Sequence, residues 1–258
     1  MDMGYDNVLV ERDGLFTTIT MNRPERRNAL SLAHIEDLLA AFKEVGATDA
    51  RGVVLTGAGP VFSSGHDFVD VYQANLPETR RLLWTCTELM QTIQSVPQVV
   101  VARVHGLATA AGCQLVATCD LAVAGESASF ATPGGKGGWF CHTPLVAIAR
   151  NIGRKRAMEM ALTGDRVDAR TACEWGLVNY VVPDEELDKA TRQLLERTSH
   201  GSPAAKALGK QALYAQFDRP EHDAYTYAVE VMAAASQTPY AREGMNAFME
   251  KRRPVWPA

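Results

Sequence analysis

The sequence predicts an α/β protein, mixed strand and helix in its first half and almost wholly helical in its second. Three observations carry this. Two β-rich runs flank a turn signal at Asp13-Gly14, short apolar strands are then repeatedly followed by helical segments, and beyond Pro133 nearly every segment has helical spacing.

Val8–Arg12 and Leu15–Met21 are rich in β-branched residues and predict a hairpin around Asp13-Gly14. Ser31 is placed to cap a helix in which Leu32, Ile35, Leu38, Leu39 and Phe42 recur until Gly46. Val53–Gly57 reads as a short buried strand. A helix over Pro77–Val96 leads through Pro97 into a strand, Val99–Val104, and after His105-Gly106 an Ala-rich helix runs to Thr118, ahead of a strand at Leu121–Ala124. Helices are predicted over Thr143–Asn151, Arg154–Thr163, Asp168–Trp175, Glu185–Ser199, Pro203–Phe217, Pro220–Ser236 and Pro239–Lys251, with one strand near Val178–Val182.

A chain of 258 residues, 47% hydrophobic and 22% charged, forms one or two globular domains with a sizeable core. No low-complexity linker or fixed-period repeat divides it, so a boundary near residue 200, between 1–200 and 201–258, separates parts of one cooperative unit. A net charge of -4 without a basic patch argues against nucleic acid as a partner. No apolar run approaches the ~20 residues that cross a bilayer, so no membrane association is expected. Met1–Arg12 has no apolar leader pattern, and the five scattered cysteines read as reduced thiols; a cytoplasmic location is expected. The six histidines are dispersed without metal-ligand spacing, so no metal is expected.

Three segments carry chemistry. Arg23, Arg26 and Arg27 crowd a loop between strand and helix, suited to holding a polyphosphate or simply a solvated basic loop. Gly57–Asp67 follows a strand, and its glycines let backbone N–H groups approach a ligand. Gly106–Leu115 passes from strand to helix through small residues, which serves either tight packing or a helix N-terminus facing a polarised oxygen.

In this order and spacing the three segments resemble the crotonase (enoyl-CoA hydratase/isomerase) superfamily. Cys119–Ala122, Ser129–Pro133, Ala157–Asp165, Trp175–Val178 and the tail Ala247–Pro254 extend the likeness nearly end to end. Phe62–Asp67, Ala110–Leu115, Phe140-Cys141 and Lys251–Trp256 look most like its enoyl-CoA hydratase domain-containing protein 3 branch. The resemblance implies a β/β/α spiral core with a C-terminal helical region, assembled as a homotrimer or as a hexamer made of two trimers. It implies no permanently bound cofactor, coenzyme A arriving as part of the substrate.

Crotonases polarise the thioester carbonyl of an acyl-CoA with two backbone N–H groups, and the positions implied here are Ser64 and Ala111. Losing one such donor typically costs about 2.7–4 kcal/mol of transition-state stabilisation. The two hydratase glutamates are replaced by Gln114, which cannot accept a proton near neutral pH, and Gly134, which offers no side chain. Each acid or base group contributes on the order of 10²–10⁴-fold, so weak or absent hydration by the two-carboxylate route is expected.

His66, Asp67, Cys141 and His142 are the candidate replacements for the missing base. Asp67 is expected to organise its loop, and Cys141, near a helix start, is either a nucleophile of lowered pKa or a small buried thiol. By resemblance, Arg26, Arg27, Ser64, Gly65, His66, Asp67, Phe248 and Lys251 contribute to CoA binding, the last two often from a neighbouring subunit. The expected function is an acyl-CoA-binding family member with an unconventional base; the alternatives are a non-catalytic acyl-CoA carrier and another thioester reaction, hydrolysis or decarboxylation.

Overall fold

In the computed structural model, which describes residues 4–257, the chain forms two sheets wrapped by helices. The first residues of the Met1–Arg12 stretch, Met1 to Met3, lie outside the described part. The larger sheet has six strands: β1 (Val8–Asp13), β2 (Phe16–Met21), β3 (Gly52–Gly57), β4 (Val99–Val104), β6 (Leu121–Gly125) and β9 (Tyr180–Val182). All neighbouring pairs are parallel except β1 with β2, the predicted hairpin. Its register pairs Asp13 with Phe16, so the turn residues are Gly14 and Leu15, one position beyond the expected turn.

Two-residue alternation gives the sheet two apolar faces. Val53, Leu55, Val100, Ala102 and Val104 join the main core, which also takes the inner faces of α1 (Leu32–Gly46), α3 (Leu76–Ser95) and α4 (Ala111–Thr118). Val54, Val101 and Val123 face the other way, against Leu187, Leu194 and Leu195 of α8 (Leu187–Ser199). Ser31 caps α1 as expected, its hydroxyl accepting from the His34 N–H at 3.2 Å.

The smaller sheet is made of β5 (Leu107–Thr109), β7 (Ser129–Ala131) and β8 (Val167–Asp168). The chain alternates between the layers: β4 is followed by β5 and α4, then β6 by β7 and α5 (His142–Ile152). The turn after β3 does the same in outline, with Ser63 bridged to Ala108 of β5 before α2 (Phe68–Gln73) and α3. This strand–strand–helix winding brings the loops after β3, β5 and β7 to one side of the molecule.

After α6 (Arg154–Thr163) and α7 (Ala169–Trp175), α8 covers the large sheet, and α9 (Pro203–Gln216), α10 (Glu221–Ala235) and α11 (Pro239–Met249) complete the chain. Almost nothing on these last three helices is buried: of their residues only Ala247 is. The sequence did not predict α2, β5, β7 or β8, all too short to show a period. The predicted long helices are all present with ends shifted by one or two residues, except that the Ala-rich helix expected directly after Gly106 begins only at Ala111, because Leu107–Thr109 form β5.

Candidate functional site

A cavity of ≈ 340 Å³ opens where the three loops meet. Ser64 and His66 reach it after β3, Thr109 and Ala110 from the β5–α4 junction, and Pro133, Gly134 and Trp139–Pro144 from the segment leading into α5. Phe68, Leu83 and Phe140 complete an apolar, aromatic wall. A larger groove of ≈ 1150 Å³ lies between α9, α10 and α11, but its lining contains none of the residues singled out for chemistry.

Backbone bonding fixes which N–H groups are available. Ser63 donates to the Leu107 carbonyl at 3.2 Å and accepts from Thr109 at 3.0 Å. Two residues on, Leu30 donates to the Gly65 carbonyl at 2.8 Å and accepts from Asp67 at 3.1 Å. In such a parallel bridge the N–H of the central residue, His66, points away from Leu30 and makes neither bond. Ser64 is different: its N–H donates to the Arg27 carbonyl at 3.0 Å, so the expectation that Ser64 supplies a free donor is corrected. The His66 N–H meets no acceptor among the described residues.

Ala111, the first residue of α4, has no intrahelical acceptor for its N–H. Gly65, at φ +84°, presses the loop against this helix start: a Cβ there would lie 3.1 Å from the Ala111 nitrogen and 2.9 Å from the Ala110 Cβ. Ala110 itself holds φ 50° and ψ -118°, a conformation costly for a non-glycine residue, while its N–H donates to Ala131 at 2.9 Å. The strain aims the following N–H groups out of the helix end beside Gly65.

Gln114, one turn into α4, is buried, its Oε1 has no hydrogen-bond partner, and it does not line the cavity. Gly134 does line it, with no room for a side chain: a Cβ would collide with the Trp139 carbonyl oxygen and lie 2.8 Å from Cys141 Sγ. Cys141 is the N-terminal flanking residue of α5, and burial pushes its thiol pKa up, with the Gly134 backbone opposing. The lowered pKa considered for it is therefore corrected; it is a protonated thiol. His142, the next residue, stacks at 5.1 Å on Phe140.

His66 is 9% exposed, lines the cavity and lies 6.0 Å from the Trp139 ring. Neither ring nitrogen meets a hydrogen-bond partner. Burial pushes the imidazole down to about 4, with hydrogen bonding towards the Leu30 backbone opposing, so the ring is neutral at pH 7. Asp67 turns away: it caps α2 through the Val69 N–H at 3.1 Å and pairs with Arg26 at 3.3 Å and Arg23 at 3.5 Å.

Arg26 and Arg27 lie on the exposed loop behind Ser64, Arg27 in left-handed backbone at φ 54°. Phe248, 84% exposed, and Lys251 stand at the end of α11 and do not line the cavity of their own chain. No three His, Cys, Asp or Glu side chains gather as a metal site among the described residues. Sequence reasoning missed Phe68, Leu83 and Trp139; Trp139, an aromatic residue closing the Gly134–Gly138 run, was the one available signal.

The sequence family described as Enoyl-CoA hydratase/isomerase matches residues 11–258. The mouse (Mus musculus) protein named Enoyl-CoA hydratase domain-containing protein 3, mitochondrial, is 41% identical over 248 residues, spanning 95% of this chain and 82% of its own length. Its zebrafish (Danio rerio) namesake is 43% identical over 256 residues, spanning 96% and 86%. The crystal structure of an enoyl-CoA hydratase from Mycobacterium smegmatis superposes with a TM-score of 0.93 at 43% identity, covering 97% of this chain and 98% of that one. That of human enoyl-CoA hydratase domain-containing protein 3 gives 0.93 at 37% identity, covering 97% and 100%. With the alternating two-layer winding and the matching sequence spanning nearly the whole chain, this protein belongs to the enoyl-CoA hydratase/isomerase family and has the crotonase fold.

Proposed function

We propose that the protein binds an acyl-CoA with its thioester carbonyl between the backbone N–H groups of His66 and Ala111. The observation that carries this is the pair of N–H groups without acceptors flanking Gly65 at the mouth of an apolar cavity. Such donors stabilise a developing oxyanion without reorganising. His66 replaces Ser64 in this role because the Ser64 amide is already bonded to Arg27.

Chemistry on the bound thioester is limited because, among the described residues, no Asp or Glu lines the cavity. Gln114 and Gly134, at the positions of the two hydratase glutamates, supply no acid or base, and Cys141 is held as a neutral thiol. Ordinary hydratase turnover is therefore proposed to be weak or absent. The same observation favours a second reading, a carrier that holds acyl-CoA without converting it. Hydrolysis or decarboxylation would have to proceed on carbonyl polarisation alone.

Arg26 and Arg27 are proposed to hold CoA phosphates, and Phe248 and Lys251 to reach a neighbouring subunit's CoA in a trimer or hexamer. Five unpaired cysteines support a reducing, cytoplasmic setting for this chain. Calorimetry with a non-reactive acyl-CoA, beside turnover assays on crotonyl-CoA, tests the whole. Binding without ordinary turnover is expected; turnover at ordinary enzyme rates overturns the claim of lost hydration, and no binding overturns the acyl-CoA reading.

A further inference from the structure

Beside the two carbonyl-binding N–H groups the cavity wall is rich in rings. Phe, Trp and Tyr make up 7% of the chain, yet Phe68, Trp139 and Phe140 all line this one cavity. Phe68 and Trp139 stand 6.3 Å apart at 64°, which makes a corner of the two rings, and the His66 ring backs Trp139 at 6.0 Å. Phe68 is 66% exposed, and Trp139 and Phe140 are half-buried, so these rings are open to an incoming group. The backbone holds the wall in place: the Trp139 N–H donates to the Gly134 carbonyl at 3.0 Å, and only the lack of a side chain at Gly134 lets the Trp139–Cys141 segment pack there. Among the described residues no Asp, Glu, Lys or Arg lines the cavity.

We infer that the acyl group taken by this site carries an uncharged aromatic ring, with Phe68 and Trp139 as its specificity-determining residues. This rests on the acyl-CoA reading, in which a carbonyl held by the His66 N–H puts the next acyl carbons beside Phe68, two residues on, and Trp139, which packs against the His66 ring. A planar ring laid flat on one wall of the corner meets the other edge-on, the two arrangements that the negative face and positive edge of aromatic rings favour. A saturated ring of equal size gains the same burial but no such contact. An open alkyl chain also loses rotamer freedom that a rigid ring never had. A charged substituent on the ring would be buried without a counter-ion, which costs affinity.

The test is isothermal titration of the full chain with 3-phenylpropanoyl-CoA, 3-cyclohexylpropanoyl-CoA and nonanoyl-CoA, which have the same number of acyl carbons, and with butyryl-CoA. Wild type is expected to bind the phenyl ester about tenfold more tightly than the cyclohexyl ester, and more tightly than the nonanoyl ester although that chain is the more apolar. Phe68→Leu and Trp139→Leu each lower the phenyl-to-cyclohexyl ratio, while Phe68→Tyr, which keeps the ring, retains it. Wild-type affinity for either non-aromatic ester that equals or exceeds that for the phenyl ester overturns the inference, as does a ratio unchanged in both leucine variants; the wild-type comparison decides it even if a variant does not fold. If the three larger esters fail to bind and butyryl-CoA binds, the aromatic preference alone falls; if butyryl-CoA fails as well, the acyl-CoA reading falls with it.

Discussion

At Gly134 the backbone leaves no space for any side chain, because a Cβ collides with the Trp139 carbonyl and crowds Cys141 Sγ. Gly134→Ala should therefore cost about 1–3 kcal/mol in urea denaturation through forced shifts of the Trp139–Cys141 segment. The paired change Gln114→Glu, Gly134→Glu, which sequence alone recommends for restoring hydration, is expected to yield a destabilised protein without ordinary crotonyl-CoA turnover. Histidine burial gives a second residue-level expectation. His34 and His66 are both pushed by burial from 6.5 down to about 4, His34 keeping only its Nδ1 contact with the Ala29 carbonyl. The unfolded chain binds these protons first, so their contribution is present above about pH 6.5 and lost as pH falls towards 4. At pH 5 the loss is about 2 kcal/mol per histidine, and urea midpoints between pH 7 and 5 should show it, reduced by roughly half in His66→Phe. Individual residues were unevenly legible in the sequence for a physical reason. Gln114, Gly134 and Ala111 could be located by resemblance, but which of Ser64 and His66 has a free N–H depends on a bond to Arg27 that no local pattern reveals.

Among the elements, α9 is tied to the body by an ionic cluster with little solvent access, beside an exposed hydrogen bond from Gln211 to the Ser95 carbonyl. Lys210 Nζ lies 2.7 Å from Asp120 and donates to the carbonyls of Ile93 at 2.9 Å and Gln98 at 2.8 Å. Asp120 also accepts from the Tyr214 hydroxyl at 2.9 Å and the Val100 N–H at 2.7 Å. Desolvation pushes the lysine down and the carboxyl up, but each is satisfied by the other and by backbone. Lys210→Met leaves the Asp120 charge without its cation and should cost about 3–5 kcal/mol by chemical denaturation. Lys43→Met, which removes an exposed pair with Glu88 on α1 and α3, should cost less than about 1 kcal/mol. Nothing in the sequence marks Lys210, since its carbonyl partners are 117 and 112 positions away. The long helices were legible because apolar residues such as Ile35, Leu38, Phe42 and Val45 recur on one face. The strands β5, β7 and β8, of two or three residues, carry no such signal, although β5 and β7 shape the site.

For the molecule as a whole, the winding repeats in space but not in sequence, because each turn needs only a strand, a short extended segment and a helix, whatever their residues. Its overall architecture was thus reached by resemblance rather than by periodicity. The unpaired surface of α9–α11 sets the largest remaining expectation. None of the side chains of α10 is buried; Tyr225 and Met232, the latter 79% exposed, stand with Leu208 and Leu213 of α9 around the ≈ 1150 Å³ groove, and Val229 is a further exposed apolar residue of α10. Exposed apolar side chains gathered on one face often mark a surface that a partner covers. If a second and third copy cover it, Phe248 and Lys251 at the end of α11 are carried towards a neighbour's cavity rather than their own. Light scattering on the purified chain should then give a trimer or hexamer mass. Val229→Asp together with Met232→Asp should lower that mass while leaving the circular dichroism spectrum native, since neither side chain supports the chain's own core. Acyl-CoA affinity should fall with the mass, because the tail no longer reaches a neighbouring site. A monomeric wild type that binds acyl-CoA would instead mean that the cavity suffices alone and that the apolar face has another purpose.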